Sequence, residues 1–345
     1  MRRALRRLGF SVAVIWTVVS LTFLLNDLVP GDPARMAAGP QATPADVARI
    51  GHTLGLDRPA PVRYALFWER LLHVGPRALG RDGTDEHSTC AVLVPLGRWS
   101  VHLDLGKSFQ MQQPVVDVVA ARLPRTLALA LAGLLVQLVL GVASGMFAAA
   151  RRDSWLDRAL VSTSLLGVSA PTFLIALALQ YVLSYRLRLL PLDGFGSSPL
   201  EHARCLVLPA LTLGIYGAAY YTRLVRDELV GLLASPWVRT ARAKGVPAWR
   251  VVVVHALRSG LVPVVTALGL DFGSLLGGAI VTETVFRWPG LGELSVKATL
   301  NRDGPVIAAC VIVTSVAVVT ANWLADLAAA RLDPRVNAGR GLDTR

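Results

Sequence analysis

Long uncharged stretches dominate the pattern of apolar and polar positions along this chain. Five of them contain no Asp, Glu, Lys or Arg and cover residues 8–26, 126–150, 159–185, 205–222 and 304–325. A sixth, residues 259–282, contains a single charge, Asp271. A helix needs about 20 apolar residues to cross a bilayer, and the two-residue alternation of a barrel strand is absent. The pattern therefore predicts an all-α integral membrane protein with six transmembrane helices.

The composition agrees with a membrane protein and argues against a nucleic-acid binder. Of the 345 residues, 53% are hydrophobic and 17% are charged, whereas soluble domains carry about 25% charged residues. The net charge of +12 falls between the apolar stretches and not on a polar, foldable segment, so membrane topology explains it better than nucleic-acid binding does. The N-terminus is basic and then apolar without a small-residue cleavage site, which indicates a retained signal-anchor helix.

The basic residues also predict the orientation of the helices. In the terminal and short connecting segments, eighteen Lys and Arg lie on one side of the predicted membrane and six on the other. Because basic residues accumulate in cytoplasmic segments, we expect both termini and the basic loop of residues 236–263 to be cytoplasmic. Residues 30–122 are then extracytoplasmic, and their short helical patterns, such as residues 62–72, predict a small cap.

These expectations divide the chain into four parts. Residues 1–29 form the N-terminal tail and first transmembrane helix, and residues 30–122 form the extracytoplasmic segment. Residues 123–330 form a core of five helices that contains the cytoplasmic loop 227–258, and residues 331–345 form a cytoplasmic tail.

The basic loop carries the signals of two short helices. Ser235 and Pro236 are typical of a helix start, Gly245 followed by Pro247 is typical of a helix end, and a second helix is expected near Ala248. The first helix would present basic side chains, Arg239, Arg242 and Lys244, and smaller or apolar ones for a partner's groove, Trp237, Val238 and Ala241. The residues alone leave two interpretations open: a docking surface, or an ordinary basic loop that obeys the topology rule.

The same loop resembles the EAA loop of ABC-importer permeases. Arg239-Thr240-Ala241 stand at the EAA places and Gly245 at the conserved glycine place of that motif, while Arg258 departs from it where the motif has proline. Pro263 follows five residues later, as in the variant of the oligopeptide/dipeptide permease family.

Further segments resemble that family, in its order, over nearly the whole chain. They are Pro30-Gly31-Asp32-Pro33, Asp104-Leu105-Gly106-Lys107-Ser108-Phe109, Arg122-Leu123-Pro124, Gly277-Gly278-Ala279, Glu283-Thr284-Val285-Phe286, Trp288-Pro289-Gly290-Leu291-Gly292, Asn322, Asp326 and Leu332-Asp333-Pro334-Arg335. The chain is similar to the first-permease type of the oligopeptide, dipeptide and nickel importers. The resemblance implies the type I ABC importer permease fold and a location in the bacterial cytoplasmic (inner) membrane.

The resemblance also implies a function and a set of partners. The chain would form half of the translocation pathway, beside a sister permease chain, and an extracytoplasmic binding protein would deliver oligopeptides or dipeptides. It has no GxxxxGK[ST] phosphate loop, so we expect no cofactor in this chain, with ATP and Mg²⁺ bound by two partner ATPase subunits. The ATPase-coupling residues would be Trp237, Arg239, Thr240, Ala241, Arg242, Lys244 and Gly245. The chain itself would be a transport subunit and not an enzyme, in contact with membrane lipid and with no nucleic acid.

Two carboxylates are candidates for the substrate pathway. Asp271 is the one charge well inside a predicted span, and such a group usually faces a cavity or a partner; it would meet a cationic substrate, or else bond to a neighbouring helix or be protonated. Glu283, near the outer end of the same span, would shape the entrance or act as a structural cap or ion pair.

Other features carry weaker alternatives. Asp85-Glu86-His87 with Cys90 lie in an insertion of residues 74–102 that the family lacks, and their loose spacing indicates a polar loop and no metal site. A Cys90–Cys205 disulfide stays open, because spacing fixes no distance. Two functional alternatives also stay open. The same kind of importer could carry nickel chelates, glutathione or other small solutes, or the chain could be a stand-alone secondary transporter, a class for which Asp271 is the only supporting feature.

Overall fold

The computed structural model describes residues 2–28, 33–39, 41–76, 90–96 and 99–332. The chain forms two compact units: Met1–Pro124 with Gly290–Val316, and Arg125–Pro289 with Ala317–Arg345. Two long helices run from one unit into the other, α5 (Val115–Ala150) and α14 (Gly304–Leu332).

The first unit combines membrane helices with the predicted cap. Its elements are α1 (Arg2–Leu28), α2 (Pro33–Ala38), α3 (Pro44–Leu54), α4 (Ala60–Leu71), β1 (Leu72–Pro76), β2 (Cys90–Leu96), β3 (Trp99–Asp104) and α13 (Leu291–Leu300), with the first residues of α5 and α14. A buried cluster from α1, α4, α5, α13 and α14 forms its core, including Val19, Leu71, Val115, Leu294 and Val306.

Local sequence explains the helices of the cap. Thr43 begins α3 with a capping box, in which its hydroxyl and the side chain of Asp46 each bond to the other residue's backbone N–H. The Thr43 hydroxyl also donates to Asp46 Oδ2 at 2.7 Å, and this bond, together with the one from the Thr43 N–H, holds the pKa of Asp46 below its ordinary value. Gly55 ends the helix in the left-handed region with φ of 72°. Helix α4 covers the pattern predicted at residues 62–72.

A three-stranded antiparallel sheet with order β1-β3-β2 was not predicted. Strands β2 and β3 lie in the insertion of residues 74–102, which the sequence analysis interpreted as a polar loop; that interpretation is wrong for these two segments. The apolar run that begins at Cys90 pairs with β3 across a register shift between Val92 and Val94. The apolar run of β2 cannot be told from a buried helical segment by periodicity alone, whereas Trp99–Asp104 alternates apolar and polar residues, which is the pattern of a half-buried strand. Residues 85–87 lie outside the described part.

The second unit contains the remaining helices. These are most of α5, α6 (Trp155–Ser169), α7 (Thr172–Leu179), α8 (Pro199–Leu233), α9 (Pro236–Ala243), α10 (Ala248–Arg250), α11 (Leu257–Gly278) and α12 (Ile280–Val285), with the last part of α14. Helix α7 continues as a π-helical segment, Gln180–Arg186, and α10 is joined to α11 by another, Val251–Ala256.

Within the described part of the chain, four helices are long and apolar enough to cross a membrane, and the number rises to six if each of two bent pairs counts as one span. The pairs are Trp155–Gly167 with Thr172–Arg186 and Ala248–Leu261 with Pro263–Leu276, each bent by more than 40°. The first break occurs where Ala170, in extended conformation, precedes Pro171, because a residue before proline avoids the helical region. The sequence placed the spans but did not predict these bends.

Small residues of α5, among them Gly133, Gly141, Ser144 and Gly145, allow this helix to pack closely against α8. A Cβ at Gly141 would overlap the side chain of Tyr221, and one at Gly145 would overlap the backbone of Thr222. The hydroxyls of Ser144 and Thr222 form a hydrogen bond of 2.6 Å between these helices. Such contacts between backbones are typical of helix association in membranes.

Candidate functional site

The α9 segment, residues 236–245, is a short helix with defined ends. Pro236 occupies its first turn, where its missing N–H costs nothing. The N–H of Val246 donates to Ala241 O at 3.2 Å and that of Gly245 to Arg242 O at 2.9 Å, which is the Schellman pattern of helix ends. Gly245 has φ of 76° and open space around its Cα. The predicted end at this glycine is therefore confirmed.

Ser235 lies at the predicted N-cap but makes a different hydrogen bond. Its side chain gives no cap bond to the first turn of α9; its hydroxyl donates to Leu232 O of the preceding helix. The helix starts where it was predicted to start, while the prediction that the Ser235 hydroxyl caps it is wrong.

The exposed face of α9 is basic. Trp237 is 41% exposed, and the side chains of Arg239, Thr240, Arg242 and Lys244 are exposed as well, with Ala241 half-buried. Val238 is fully buried within the chain, so the expectation that it inserts into a partner's groove is wrong. A helix of eight residues must bury one face to stay folded, and Val238 lies on that face.

The α9 segment packs against the start of the following span. Val251, Val252 and Ala256, in the π-helical segment that leads into α11, are buried, and this segment contacts α9. Beside it lies a cleft of about 780 Å³, whose walls include Phe147, Arg242, Trp249 and Val253. The π-helical segment therefore lies between α9 and α11.

Asp271, on α11, lies in a polar network that joins three helices. Gln137 of α5 donates from Nε2 to Asp271 Oδ2 at 2.7 Å, and Tyr221 of α8 donates from its hydroxyl to the same oxygen at 3.1 Å. Gln137 and Tyr221 are buried, with 1% and 0% exposure, whereas Asp271 is half-buried. Both of these bonds end on Oδ2, so Oδ1 is the oxygen through which Asp271 can meet a further group.

Glu283 is fully buried. Thr126 donates its hydroxyl to Glu283 Oε1 at 2.8 Å, and the indole N–H of Trp288 donates to Arg125 O at 3.0 Å nearby. These bonds join α12 and the following turn to α5. Glu283 has no exposed surface in this structure, and its role, in shaping an entrance or as a cap or ion pair, stays a prediction.

Sequence reasoning missed the partners of Asp271. Gln137 lies inside an uncharged stretch and Tyr221 is one of two adjacent tyrosines, so neither stood out. The signal that was available is the polar character of Gln137 inside a transmembrane stretch, since such residues usually bond across helices.

Several sequence candidates gain no structural support. The side chains of Cys90 and Asp326, and all of residues 85–87 and 333–345, lie outside the described part of the chain. Cys205 is a free thiol. Among the residues that the structure describes, no three His, Cys, Asp or Glu side chains form a group that could hold a metal ion.

Comparison with known proteins identifies what this chain is similar to. The family model described as "Binding-protein-dependent transport system inner membrane component" matches residues 141–338, and the model of the corresponding N-terminal region matches residues 1–130. A putative peptide transport system permease protein of Brucella suis is 38% identical over 339 residues, which cover 96% of this chain and 98% of that protein.

Two further matches extend the comparison. The glutathione transport system permease protein GsiC of Escherichia coli is 36% identical over 332 residues, covering 96% of this chain and 97% of that protein. Among solved structures, the MetNI methionine ABC transporter in an inward-facing conformation matches with a TM-score of 0.54 at 16% identity. That match covers 64% of this chain and 98% of the matched chain.

Proposed function

Since this chain belongs to the family of binding-protein-dependent transport system inner membrane components, we propose that it moves short peptides and is driven through its α9 segment. The family membership makes the chain a multi-pass permease subunit of an ABC importer and not an enzyme, which confirms the resemblance and the type I fold expected from the sequence. Such an importer works with an ATPase and a substrate-binding protein. The proposal concerns the substrate and the residues that connect the chain to these partners.

Short peptides are the substrate class that the relatives favour. The Brucella protein is named for peptide transport and GsiC for glutathione, and glutathione is itself a tripeptide. The relatives therefore share a compact solute with a peptide bond and charged ends. Nickel chelates and other small solutes are the alternative, and mass spectrometry of the ligand retained by the cognate binding protein distinguishes them.

The α9 segment supports the coupling role by its exposure. The helix ends at Gly245, and Val238 is buried on its inner face. The exposed side chains on its outer face are Arg239, Thr240, Arg242 and Lys244. A basic exposed face favours a partner surface of negative charge, because complementary potentials guide association. We place this segment and both termini in the cytoplasm, with two ATPase subunits that bind ATP and Mg²⁺ and a sister permease that completes the pathway.

Coupling then follows the packed path from α9 to α11. Closure of the ATPases would displace α9, and the buried side chains of the π-helical segment would transmit the displacement to α11. ATP can shift the transporter between states only by favouring one docking geometry over the other. The bend at Pro263 and the π-helical segment give α11 a place where this movement can be absorbed.

Asp271 is the residue of α11 that we assign to the substrate. Gln137 and Tyr221 hold Oδ2, which leaves Oδ1 to accept a hydrogen bond from the cationic amino group of a peptide. Charge-assisted bonds of this type are about twice as strong as neutral ones. Glu283 holds the outer end of the same unit together and has a positioning role.

Site-directed cross-linking tests the coupling proposal. Thr240→Cys, in a chain whose native cysteines are replaced by serine, should cross-link to the ATPase subunit in membranes. Leu192→Cys is the matched control, since Leu192 is also exposed but lies in the segment before α8, at the opposite end of this helix from α9. Cross-linking from position 192 and none from position 240 would overturn the proposed role and orientation.

A further inference from the structure

A second cavity lies in the first unit, remote in sequence from α9 and Asp271. It has a volume of about 710 Å³ and opens between the ends of α1 and α4, the segment after β3 and the start of α14. Its size is in the range of small-molecule sites in proteins. Neither the coupling role nor the peptide role uses it.

The lining changes from apolar to charged along one direction. The apolar part of the lining includes Phe23, Phe67, Ala308 and Ile312. At a rise of 1.5 Å per residue, Phe23 lies about 7 Å before the last residue of α1, and Ile312 lies about 12 Å after the first residue of α14. The end of α1 and the start of α14 bound the apolar spans Leu8–Leu28 and Gly304–Ala325. The apolar end of the cavity is therefore at hydrocarbon depth and its charged end at the membrane interface.

Two cations at the charged end, Arg70 and Lys107, form no ion pair with any residue that the structure describes. Arg63, in the wall, is neutralised by Asp27 through contacts of 2.6 Å and 2.9 Å from its two terminal nitrogens. Arg70 and Lys107 are exposed and line the cavity, and within the described part of the chain neither forms an ion pair. Asp104, the remaining acid of the lining, accepts a bond from the N–H of Gly106. The lining contains three cations and two acids, so the charged end carries a net charge of +1.

We propose that this cavity binds one anionic phospholipid. The phosphate would lie between Arg70 and Lys107, and an acyl chain would descend along Phe23, Ala308 and Ile312. Charge at the interface and apolar surface at hydrocarbon depth is the distribution that such a lipid has in a bilayer. Basic pockets between transmembrane helices are known to bind anionic headgroups. A peptide or a protein loop would not require the apolar end at that depth.

Native mass spectrometry of the full-length chain, with the subunits that co-purify, tests the proposal. Phosphatidylglycerol is titrated onto the wild type and onto the double variant Arg70→Ala/Lys107→Ala, with phosphatidylcholine as the neutral probe. Each basic side chain near a membrane surface contributes about fivefold to anionic-lipid binding, so the double variant should bind phosphatidylglycerol about thirtyfold more weakly. Phosphatidylcholine should bind both proteins equally weakly.

Two further variants separate this site from general membrane adhesion. Ala308→Phe fills the cavity without changing its charge and should also remove the bound lipid. Arg49→Ala is the matched control, because Arg49 is a cation of the same segment that pairs with Asp46 and does not line the cavity; it should bind as the wild type does. Equal phosphatidylglycerol binding by the wild type and the double variant would overturn the proposal. So would a loss of binding-protein affinity in the double variant with lipid binding unchanged, which would assign the rim to that protein.

Discussion

Gly217 of α8 lies directly against the carboxamide of Gln137, the group that bonds to Asp271. A Cβ at Gly217 would overlap Gln137 Oε1. The absence of a side chain at one position on α8 therefore determines where a polar side chain of α5 lies, and through it which atom of Asp271 is held. This relationship makes the network sensitive to a single methyl group.

Gly217→Ala should displace Gln137 and destabilise the protein by about 1–3 kcal/mol, the usual cost of overpacking. Thermal unfolding of the detergent-solubilised chain measures the change. Gly231→Ala is the matched control on the same helix, since nothing lies within 4 Å of a Cβ there, and it should not lower the unfolding temperature. Equal stability of the two variants would contradict the packing described here.

Gly245→Val should uncouple transport from ATP hydrolysis. A β-branched residue at φ of 76° costs about 1–2 kcal/mol and would distort the end of α9, so peptide uptake at a given rate of ATP hydrolysis should fall about fivefold to thirtyfold. Uptake and ATPase activity are measured in parallel in proteoliposomes. Gly231→Val introduces the same side chain into open space in a helix and should preserve coupling. Unchanged uptake in Gly245→Val would count against the coupling role.

Asp271→Asn tests the charge of the pathway residue while preserving the network. The amide oxygen of Asn still accepts bonds from Gln137 and Tyr221, but the negative charge is lost. A hydrogen bond to a charged group contributes about 1.5–3 kcal/mol. If Asp271 binds a cationic amino group, its loss should therefore lower peptide uptake about tenfold or more, measured with a saturating amount of substrate-loaded binding protein. Uptake by Asp271→Leu should fall at least as far. Near-normal uptake in Asp271→Asn with loss in Asp271→Leu would indicate a purely structural hydrogen-bonding role.

Asp303 should stabilise the first unit through three donors. Its carboxylate is buried and accepts bonds from the Ser108 hydroxyl and from the N–H groups of Phe109 and Gln110. Asp303→Ala leaves these donors without an acceptor and should cost about 3 kcal/mol, seen as a lower midpoint of thermal unfolding. Asp303→Asn retains one acceptor oxygen and should lose less. A midpoint of Asp303→Ala equal to that of the wild type would refute this assignment.

Arg226 offers a contrast between a buried and an exposed ion pair on one side chain. It contacts Asp157 through two bonds, Nε–Oδ1 at 2.6 Å and Nη2–Oδ2 at 2.8 Å, and exposed Asp227 through one of 3.0 Å. Arg226→Lys cannot form the two-bond fork, and we expect a loss of about 1–2 kcal/mol of stability. Asp227→Ala should cost less than 1 kcal/mol. The same unfolding assay compares them, and a larger effect of Asp227→Ala would reverse the assignment.

Sequence by itself determined the features that depend on local composition. The apolar stretches located the six spans, because length and hydropathy are properties of a continuous segment. Pro236 and Gly245 located both ends of α9, because caps and turns are built from neighbouring residues. The insertion of residues 74–102 marked a departure from the family, but its strands were not predicted: the apolar run of β2 is ambiguous between strand and buried helix, and the alternation of β3 was not used.

Only the tertiary structure decided which side chains meet. Gln137 and Asp271 are separated by 134 residues along the chain, and no spacing rule relates them; their bond exists because Gly217 lets α8 pack where Gln137 points. Likewise the burial of Val238 and of Glu283 depends on which helices pack around them. Hydrophobic patterning says that a segment is buried in lipid or protein, whereas the contact partner follows from the shape complementarity of helices far apart in sequence.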